Sequence, residues 1–368
     1  MASIPGSQYV VTANGETVRI VETANRHNLP PPIPGQFNLE VWTGFGPAPH
    51  SPAPGYNGLA VLSPTGDITL VSGAFEVQDA STGGVTHTMT AAGNNETIAA
   101  GPGNNDRLIL TGNNDEAIGG GRDTIDAFGN GETILGVGDD LIQLWGDRES
   151  VQGGSGNDTI LVHSGSEHDT VRAGSGNDVI LVQGDRDLVR GGRGNDTIVV
   201  FGGAGHDTID PGGGKDVVLV AAGNITVNGG TGGDTIGLFG DHDAYVGGRG
   251  PDTVLAFGEH DAITLGRGGS VTVAGSHNTI NAGANAFGDH DTVTLLAGSQ
   301  EFVDNGQVFA DTVIGFNAAG GDRIHLTHHD KVASTGLVNG GHDTLITLSD
   351  NSTILLKGIT HIGKSFFS

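Results

Sequence analysis

Glycine-rich turns that close on an aspartate recur along most of the chain, and their residues are the ones best suited to carry chemistry. The longer type of turn reads Gly-Gly-x-Gly-x-Asp, as at 153–158. Its glycines allow backbone conformations that direct carbonyl oxygens at one point, and its aspartate adds a carboxylate. Ca²⁺ takes six to eight such oxygen ligands at about 2.3–2.6 Å. The longer turns therefore predict these calcium ligands: Gly154, Gly156, Asp158, Gly174, Gly176, Asp178, Gly192, Gly194, Asp196, Asp216, Asp234 and Asp252.

A shorter type of turn alternates with the longer one and reads Gly-Asp-His-Asp, as at 240–243. An acidic residue replaces its second glycine, so this extra carboxylate either ligates a cation or faces water. The candidate ligands of the shorter turns are Asp169, Asp187, Asp207, Asp241, Asp243 and Asp261. Gly, Asn and Asp are also ordinary turn residues. Carboxylates repeated in phase would, however, repel one another without cations, which favours calcium at the longer turns and leaves the shorter turns open.

A histidine precedes the closing acid in several of the shorter turns. A row of histidines could bind a transition metal. Arg148 and Arg186 occupy the same place in other turns. This exchange favours an exposed turn residue over a metal ligand at His168, His206, His242, His260 and His290.

The spacing of the turns indicates the elements that position them. Closing residues lie about nine apart, which accommodates one short strand and one tight turn but no helix. The two alternating turn types give a coil of about 18 residues with two strands. Each strand buries too few side chains to be stable alone, so successive coils must stack. The predicted fold class is therefore all-β, a parallel β-roll or β-solenoid.

The chain divides into three predicted segments. Residues 1–90 contain ten of the 13 prolines and short β-like runs at 9–12, 17–21, 39–43 and 68–77. This Pro-rich strand-and-loop segment is predicted to act as a cap or an assembly region. Residues 91–295 form the predicted roll, and residues 296–368 form a predicted C-terminal cap.

The sequence at 153–160 resembles the RTX nonapeptide repeat, Gly-Gly-x-Gly-x-Asp-x-U-x, a hemolysin-type calcium-binding repeat. The runs at 309–316 and 321–326 resemble the C-terminal part of serralysin-type RTX proteins, which are exported by type I secretion. This resemblance covers 150–368 and, in degenerate form, 93–149. It implies several bound Ca²⁺ ions, an extracellular or cell-surface location, the type I secretion machinery as a partner and an uncleaved C-terminal export signal. Ser270 and Asn278 at acidic positions, and Lys215 beside Asp216, depart from the pattern.

Composition excludes several classes of partner. Acidic residues outnumber basic ones 42 to 16, for a net charge of −26, which disfavours nucleic acid and anionic membranes. No apolar run approaches the length of a membrane span. The absence of cysteine excludes disulfides and thiolate metal sites. The first residues show neither the basic nor the apolar part of a cleavable signal peptide, so none is expected.

No enzyme is predicted, and no catalytic residue is assigned. The sequence contains no His-Glu-x-x-His zinc motif and no Gly-x-Ser-x-Gly nucleophile motif. Asp241 and Asp243 could mimic a glycosidase pair, but they belong to a repeated turn, whereas catalysis needs one unique constellation. The leading prediction is a secreted, Ca²⁺-stabilised structural or self-assembling protein of the cell surface or extracellular matrix. The alternatives are a module that binds or modifies polysaccharide (lyase- or epimerase-like), with cell-surface polysaccharide as partner, and an ice-binding solenoid, whose threonine row Val179 and Val217 would interrupt.

The strands after the longer turns are apolar on both faces. Alternation directs the second and fourth residues after the aspartate inward. The third and fifth residues are then exposed, yet many of them are apolar: Leu161, Leu181, Val199, Leu219, Leu255, Phe201, Phe239 and Phe257. Such an apolar face predicts a covering partner, either residues 1–90 or another copy of the chain.

Overall fold

The computed structural model describes residues 8–13, 16–23, 31–32, 37–42, 53, 58–62, 68–72, 76–78, 86, 88–100, 105–281, 290–304, 310–327 and 330–368. The fold is an all-β parallel β-solenoid, as predicted. The chain forms two compact units, residues 1–171 (unit 1) and residues 172–368 (unit 2). Each unit contains two sheets. We call the sheet whose coil strands follow the longer turns sheet 1, and the sheet whose coil strands follow the shorter turns sheet 2.

In unit 1, corresponding strands of successive coils pair in parallel, for example Thr124 opposite Leu141 and Glu116 opposite Thr133. Sheet 1 contains Gln8–Ala13, Glu16–Thr23, Phe37–Trp42, Gly58–Leu62, Ile68–Ser72, Thr88–Ala91, Arg107–Leu110, Thr124–Ala127, Leu141–Leu144 and Thr159–Val162. Sheet 2 contains Glu76–Gln78, Thr97–Ala99, Glu116–Ile118, Thr133–Leu135 and Ser150–Ser155. The strand Thr170–Ser175 begins in unit 1 and ends in unit 2.

The strands of the Pro-rich segment extend sheet 1 of unit 1. Gln8–Ala13 and Glu16–Thr23 form an antiparallel pair, and Glu16–Thr23 continues in parallel to Phe37–Trp42. Ile68–Ser72 then pairs in parallel with Thr88–Ala91, the first coil strand of the sheet. The strand at Gly58–Leu62 was not predicted, and the predicted run at 68–77 divides between the two sheets. The segment boundaries and the capping role remain predictions.

Unit 2 repeats the same parallel pairing, as Val179 opposite Thr197 shows. Its sheet 1 contains Val179–Val182, Thr197–Val200, Val217–Val220, Thr235–Leu238, Thr253–Ala256, Ser270–Val273, Thr292–Leu295 and Ala310–Ile314. Its sheet 2 contains Leu188–Arg193, Thr208–Gly214, Thr226–Asn228, Thr231–Gly232, Ala244–Val246, Ala262–Thr264, Thr279–Asn281, Glu301–Asp304 and Arg323–Leu326.

The last strands of unit 2 switch to antiparallel pairing. Val332–Val338 pairs with Asp343–Leu348, which pairs with Thr353–Lys357, and that strand joins Ala310–Ile314 in parallel. Short 3₁₀ helices lie at Ala318–Gly320, Asn339–Gly341 and Lys364–Phe366. The described part of the chain contains no helix with the length and apolarity that a membrane crossing requires.

The core is a narrow column of aliphatic side chains. Every position that alternation predicts to point inward is buried: Ile160, Val162, Ile180, Val182, Ile198, Val200, Val218 and Val220. Fully burying one such side chain stabilises the fold by about 1.5–3 kcal/mol. Each coil strand contributes about two of them, so a coil gains stability only when it stacks on its neighbours.

Candidate calcium sites

The closing aspartates of the longer turns form a buried ladder in unit 2. The backbone N–H of each aspartate donates to the Oδ1 oxygen of the aspartate one coil later. The bonds run from Asp178 to Asp196 at 2.9 Å, from Asp196 to Asp216 at 2.7 Å, from Asp216 to Asp234 at 2.8 Å and from Asp234 to Asp252 at 3.0 Å. One oxygen of each accepting carboxylate therefore joins two coils.

In three of these carboxylates, the ladder does not use the second oxygen, Oδ2. Oδ2 of Asp196, Asp216 and Asp234 is buried and has no hydrogen-bond partner among the described residues. Burial, together with the carboxylates of neighbouring coils, raises the pKa of Asp196 and of Asp234 to about 6. A buried negative charge without a partner is costly unless a cation neutralises it. The unpaired oxygens are thus suited to a cation.

Glycine is required in the longer turns because successive turns lie in close contact. Gly192 and Gly194 have φ of 117° and 128°, in the left-handed region. A Cβ atom at Gly194 would overlap the carbonyl oxygen of Gly176 in the preceding turn. The other predicted glycines share the positive φ: Gly154, Gly156, Gly174 and Gly176. The turns therefore place backbone carbonyl groups close to the carboxylate ladder.

The shorter turns of unit 2 carry the same ladder. The N–H of Asp187 donates to Asp207 at 2.8 Å, and that of Asp243 donates to Asp261 at 2.9 Å. Oδ2 of Asp207, Asp243 and Asp261 is again buried and meets no hydrogen-bond partner in the described part of the chain. Burial raises the pKa of Asp207 and Asp243 to about 7 and that of Asp261 to about 6. Ile225 replaces the acid in one coil, so the ladder lacks a carboxylate there.

Asp241 lies apart from the buried carboxylates. Its side chain is exposed, and its Oδ1 accepts a hydrogen bond from the N–H of Glu259 at 2.9 Å. The extra acid of this shorter turn therefore faces water and supports the neighbouring turn.

The turns match a known repeat. A family model described as the RTX calcium-binding nonapeptide repeat matches four copies, at residues 134–160, 163–198, 199–218 and 239–270. The chain therefore contains RTX calcium-binding repeats at these residues. No curated protein matches it.

RTX nonapeptide repeats bind Ca²⁺, and several copies imply several ions. The geometry fits this ion, because the turns closed by Asp196, Asp216 and Asp234 each offer a buried carboxylate oxygen that has no hydrogen-bond partner among the described residues. Among the described residues, no group of three or more His, Asp or Glu side chains converges on one point. Backbone carbonyl oxygens of the turns are suited to the remaining ligand positions, since Ca²⁺ takes six to eight oxygen ligands. A bound Ca²⁺ supplies the positive charge that the unpaired oxygens of adjacent coils require.

The RTX-type ladder also extends through unit 1, beyond the predicted ligands. Asp158 and Asp169 accept from Asp140 and Glu149 at 2.8 and 2.9 Å. Burial raises the pKa of Glu132 to about 8. The predicted ligand set omitted the buried acids Glu96, Asp106, Asp115, Asp123, Glu132, Asp140 and Glu149. Their periodic position at the end of a turn was the signal that could have included them.

The histidines of the RTX repeats are turn residues. His242, His260 and His277 stack with ring centroids 5.0 and 5.1 Å apart. Two nitrogens bound to one zinc ion lie at most about 4.2 Å apart, so equivalent nitrogens of these rings do not share an ion. The residue directly before the closing acid has a positive φ, whether that residue is Arg148, His168 or His242. Histidine is one of the residues that tolerate this conformation.

Proposed function

We propose that this RTX repeat protein is a secreted, non-catalytic structural protein of the cell surface or extracellular matrix that folds with Ca²⁺ and self-associates. The apolar exterior of sheet 1 in unit 2 carries the proposal. Phe239 and Phe257 are 50% and 48% exposed, and Leu219 is 38% exposed. The exterior of sheet 2 carries charged residues, with Arg190 3.9 Å from Asp210, although Val246 there is 47% exposed. Apolar side chains exposed in a continuous row are typical of a contact surface.

A second copy of the chain is the occupant that suits this surface. The exposed side chains repeat once per coil, with a spacing of about 4.8 Å set by strand pairing. Phe239 and Phe257 follow this repeat, with parallel rings whose centroids are 5.5 Å apart. An identical copy presents the same period, so its side chains can interdigitate along the whole row. Bound Ca²⁺ reduces the net charge of −26, which otherwise opposes association.

Sedimentation of the full chain with and without Ca²⁺ tests the assembly. We expect the Ca²⁺-loaded parent to form oligomers, and the double variant Leu219→Glu with Phe239→Glu to remain monomeric. The matched control, Thr208→Glu with Thr226→Glu, adds the same charge to the exterior of sheet 2 and should assemble like the parent. A parent that is monomeric at all concentrations in Ca²⁺ would refute self-association.

Secretion is part of the same proposal. RTX repeats are typical of secreted proteins, and a highly acidic chain that lacks Ca²⁺ is suited to export before it folds. We propose that the type I machinery exports the chain through a signal within residues 296–368. Export of the full chain by a type I transporter, and its loss when 296–368 is removed, tests this. Equal export of both chains would contradict the position of the signal.

The described acids support a structural role. The ladder carboxylates repeat in many successive turns, whereas a catalytic site needs one distinct set of groups. One group resembling a Ser-His-Glu triad occurs, but the Ser368 hydroxyl donates to Glu301 at 3.0 Å instead of to His325. All three side chains are exposed, so water competes for each contact.

Polysaccharide binding is the alternative, and the aromatic rows do not favour it. Trp145 stacks between Phe128 and His163, with centroid distances of 4.4 Å on both sides. Sugar rings bind to exposed faces of aromatic rings, and both faces of Trp145 are already covered. Ice binding is not favoured either, because the exposed Val179 and Val217 interrupt the threonine row of sheet 1. Retention of the Ca²⁺-loaded chain on immobilised polysaccharide would support the first alternative.

A further inference from the structure

In some turns, side-chain amides of the protein donate hydrogen bonds to the backbone carbonyl oxygens. In the shorter turns of unit 2, Nδ2 of Asn278 donates to the carbonyl of Gly258 at 3.1 Å. Nε2 of Gln300 donates to the carbonyls of Gly275 and Ala297 at 2.5 and 2.7 Å. Each carbonyl belongs to the residue three positions before the closing residue of a turn. These carbonyls are therefore directed at a point where a positive partner is needed.

Asn278 and Gln300 occupy the same positions in the ladder as the aspartates of other turns. Oδ1 of Asn278 accepts from the N–H of Asp261 at 2.7 Å, as Oδ1 of Asp261 accepts from Asp243 at 2.9 Å. Because this oxygen is fixed, the other terminal atom of each side chain lies at an equivalent place. That atom is the donor Nδ2 in Asn278 and the unpartnered Oδ2 in Asp261. Gln300 repeats the arrangement, since its Oε1 accepts from the N–H of Asn278 at 3.1 Å.

Unit 1 contains a related contact at the same position of a shorter turn. The Ser166 hydroxyl contacts both the carbonyl of Gly146 and Oδ2 of Asp169, at 2.7 and 2.5 Å. Gly146 is three residues before Glu149, the closing acid of its turn. A neutral hydroxyl thus lies between the carbonyl of one coil and the carboxylate of the next, and its single proton is donated to one of these two acceptors.

In one longer turn of unit 2, a tyrosine hydroxyl supplies the hydrogen bond to the closing carboxylate. The hydroxyl of Tyr245 donates to Oδ2 of Asp252 at 2.6 Å. Both residues are buried, and Tyr245 extends from sheet 2 through the core to reach the turn. Gly229 leaves room for the hydroxyl, because a Cβ atom there would lie 2.7 Å from it. The carboxylate of Asp252, which the sequence predicts to be a calcium ligand, already has its partner.

We propose that Tyr245, Asn278 and Gln300 take the place of Ca²⁺ at their turns, so that the turns closed by Asp252, Asn278 and Gln300 bind no ion. Each side chain supplies a donor where the other turns need a cation. An amide at the ladder position also removes the repulsion between successive carboxylates. These turns then need no ion of their own in the Ca²⁺-loaded fold. The inference rests on calcium binding by the repeats and does not depend on self-association.

Anomalous diffraction from crystals of the full chain grown with Ca²⁺ tests the assignment directly. We expect calcium peaks beside Asp216 and Asp234, and no peak within coordination distance of Asp252, Asn278 or Gln300. A calcium ion bound to any of the latter three residues would overturn the assignment. Sedimentation measures self-association separately, so a monomeric parent would contradict the assembly without changing these positions.

Two variants test the same idea in solution. Asn278→Asp and Gln300→Glu each convert the amide donor into a carboxylate oxygen. Each should bind one more Ca²⁺ ion than the parent in equilibrium dialysis, and each should melt at a lower temperature than the parent at limiting Ca²⁺. Gln183→Glu adds the same charge at an exposed position of unit 2 and should change neither result. Folded variants that bind the parental number of ions would refute the proposal, and the crystallographic result decides if a variant fails to fold.

Discussion

The backbone N–H of Asp196 donates to Oδ1 of Asp216 at 2.7 Å, while Oδ2 of Asp216 has no hydrogen-bond partner among the described residues. The two oxygens of one carboxylate thus have different roles. Oδ1 joins two coils, and Oδ2 is suited to a cation. The candidate metal ligand is therefore also a structural link, which separates two consequences of its substitution.

Asp216→Asn and Asp216→Ala should differ in stability at saturating Ca²⁺. The asparagine keeps the Oδ1 acceptor, so it should lose only the contribution of the Ca²⁺ ion at this turn. The alanine also leaves the Asp196 N–H without an acceptor, which costs about 1–3 kcal/mol more. Both variants should bind fewer Ca²⁺ ions than the parent. Denaturation in saturating Ca²⁺, with calcium counting by dialysis, checks this, and equal stability of both variants would contradict the role of Oδ1.

Ca²⁺ should convert the chain from coil to strand. The net charge of −26 and the narrow core favour an expanded chain without metal, and each site adds about 2.7 kcal/mol at 100 times its dissociation constant. Circular dichroism should show a β signal that appears with Ca²⁺ and disappears with chelator. Na⁺ at equal ionic strength should not produce it. A β spectrum that is unaffected by chelation would refute the coupling.

Two carboxylates of a single shorter turn should behave differently. Asp243 is buried with an unpartnered Oδ2, whereas Asp241 is exposed and accepts from Glu259. We expect Asp243→Asn to lower the number of bound Ca²⁺ ions and Asp241→Asn to leave it unchanged. Isothermal titration of both variants makes the comparison. A loss of binding in Asp241→Asn alone would assign the site to the exposed acid.

Asp343 should titrate far below an ordinary aspartate. Hydrogen bonds from the Gly358 N–H, the Asn339 amide and the Lys357 ammonium lower its pKa from 3.8 to about 2. Because the folded pKa lies below the unfolded one, these contacts stabilise the fold above about pH 4 and are lost as the pH falls toward 2. NMR titration of the carboxyl carbon measures the pKa. Lys357→Met should raise it, and Lys331→Met, at an exposed lysine, should not.

The burial pattern could be predicted from the sequence, because alternation along a strand depends only on local geometry. Ile180 and Val182 are buried, and Leu219 and Phe239 are exposed, as predicted. The turn acids were also predictable from their period. In both cases a single coil contains all the information.

Contacts between coils could not be predicted from the sequence alone. The bond from Asp196 to Asp216 joins residues 20 apart, so it depends on the register of stacked strands. The sequence pattern identifies Tyr245 only as a core residue of its strand. The stacking of the coils brings its hydroxyl to Asp252. Asn278 was recognised as a departure from the acidic pattern, but its donor role requires the position of the preceding turn.

Two glycines of unit 2 separate backbone strain from contact between turns. Gly194 and Gly203 have φ of 128° and 109°, so alanine is strained at either position, by about 1–2 kcal/mol. A Cβ atom at Gly203 meets no atom within 4 Å, whereas one at Gly194 overlaps the Gly176 carbonyl oxygen. Gly194→Ala should therefore cost about 1–3 kcal/mol more than Gly203→Ala, because the stacked turns must move apart. It should also weaken Ca²⁺ binding, since that movement displaces the carbonyls beside the ladder, while Gly203→Ala should bind like the parent. Denaturation midpoints in saturating Ca²⁺ and calcium titration measure both effects, and equal losses in the two variants would show that the turns do not need this close contact.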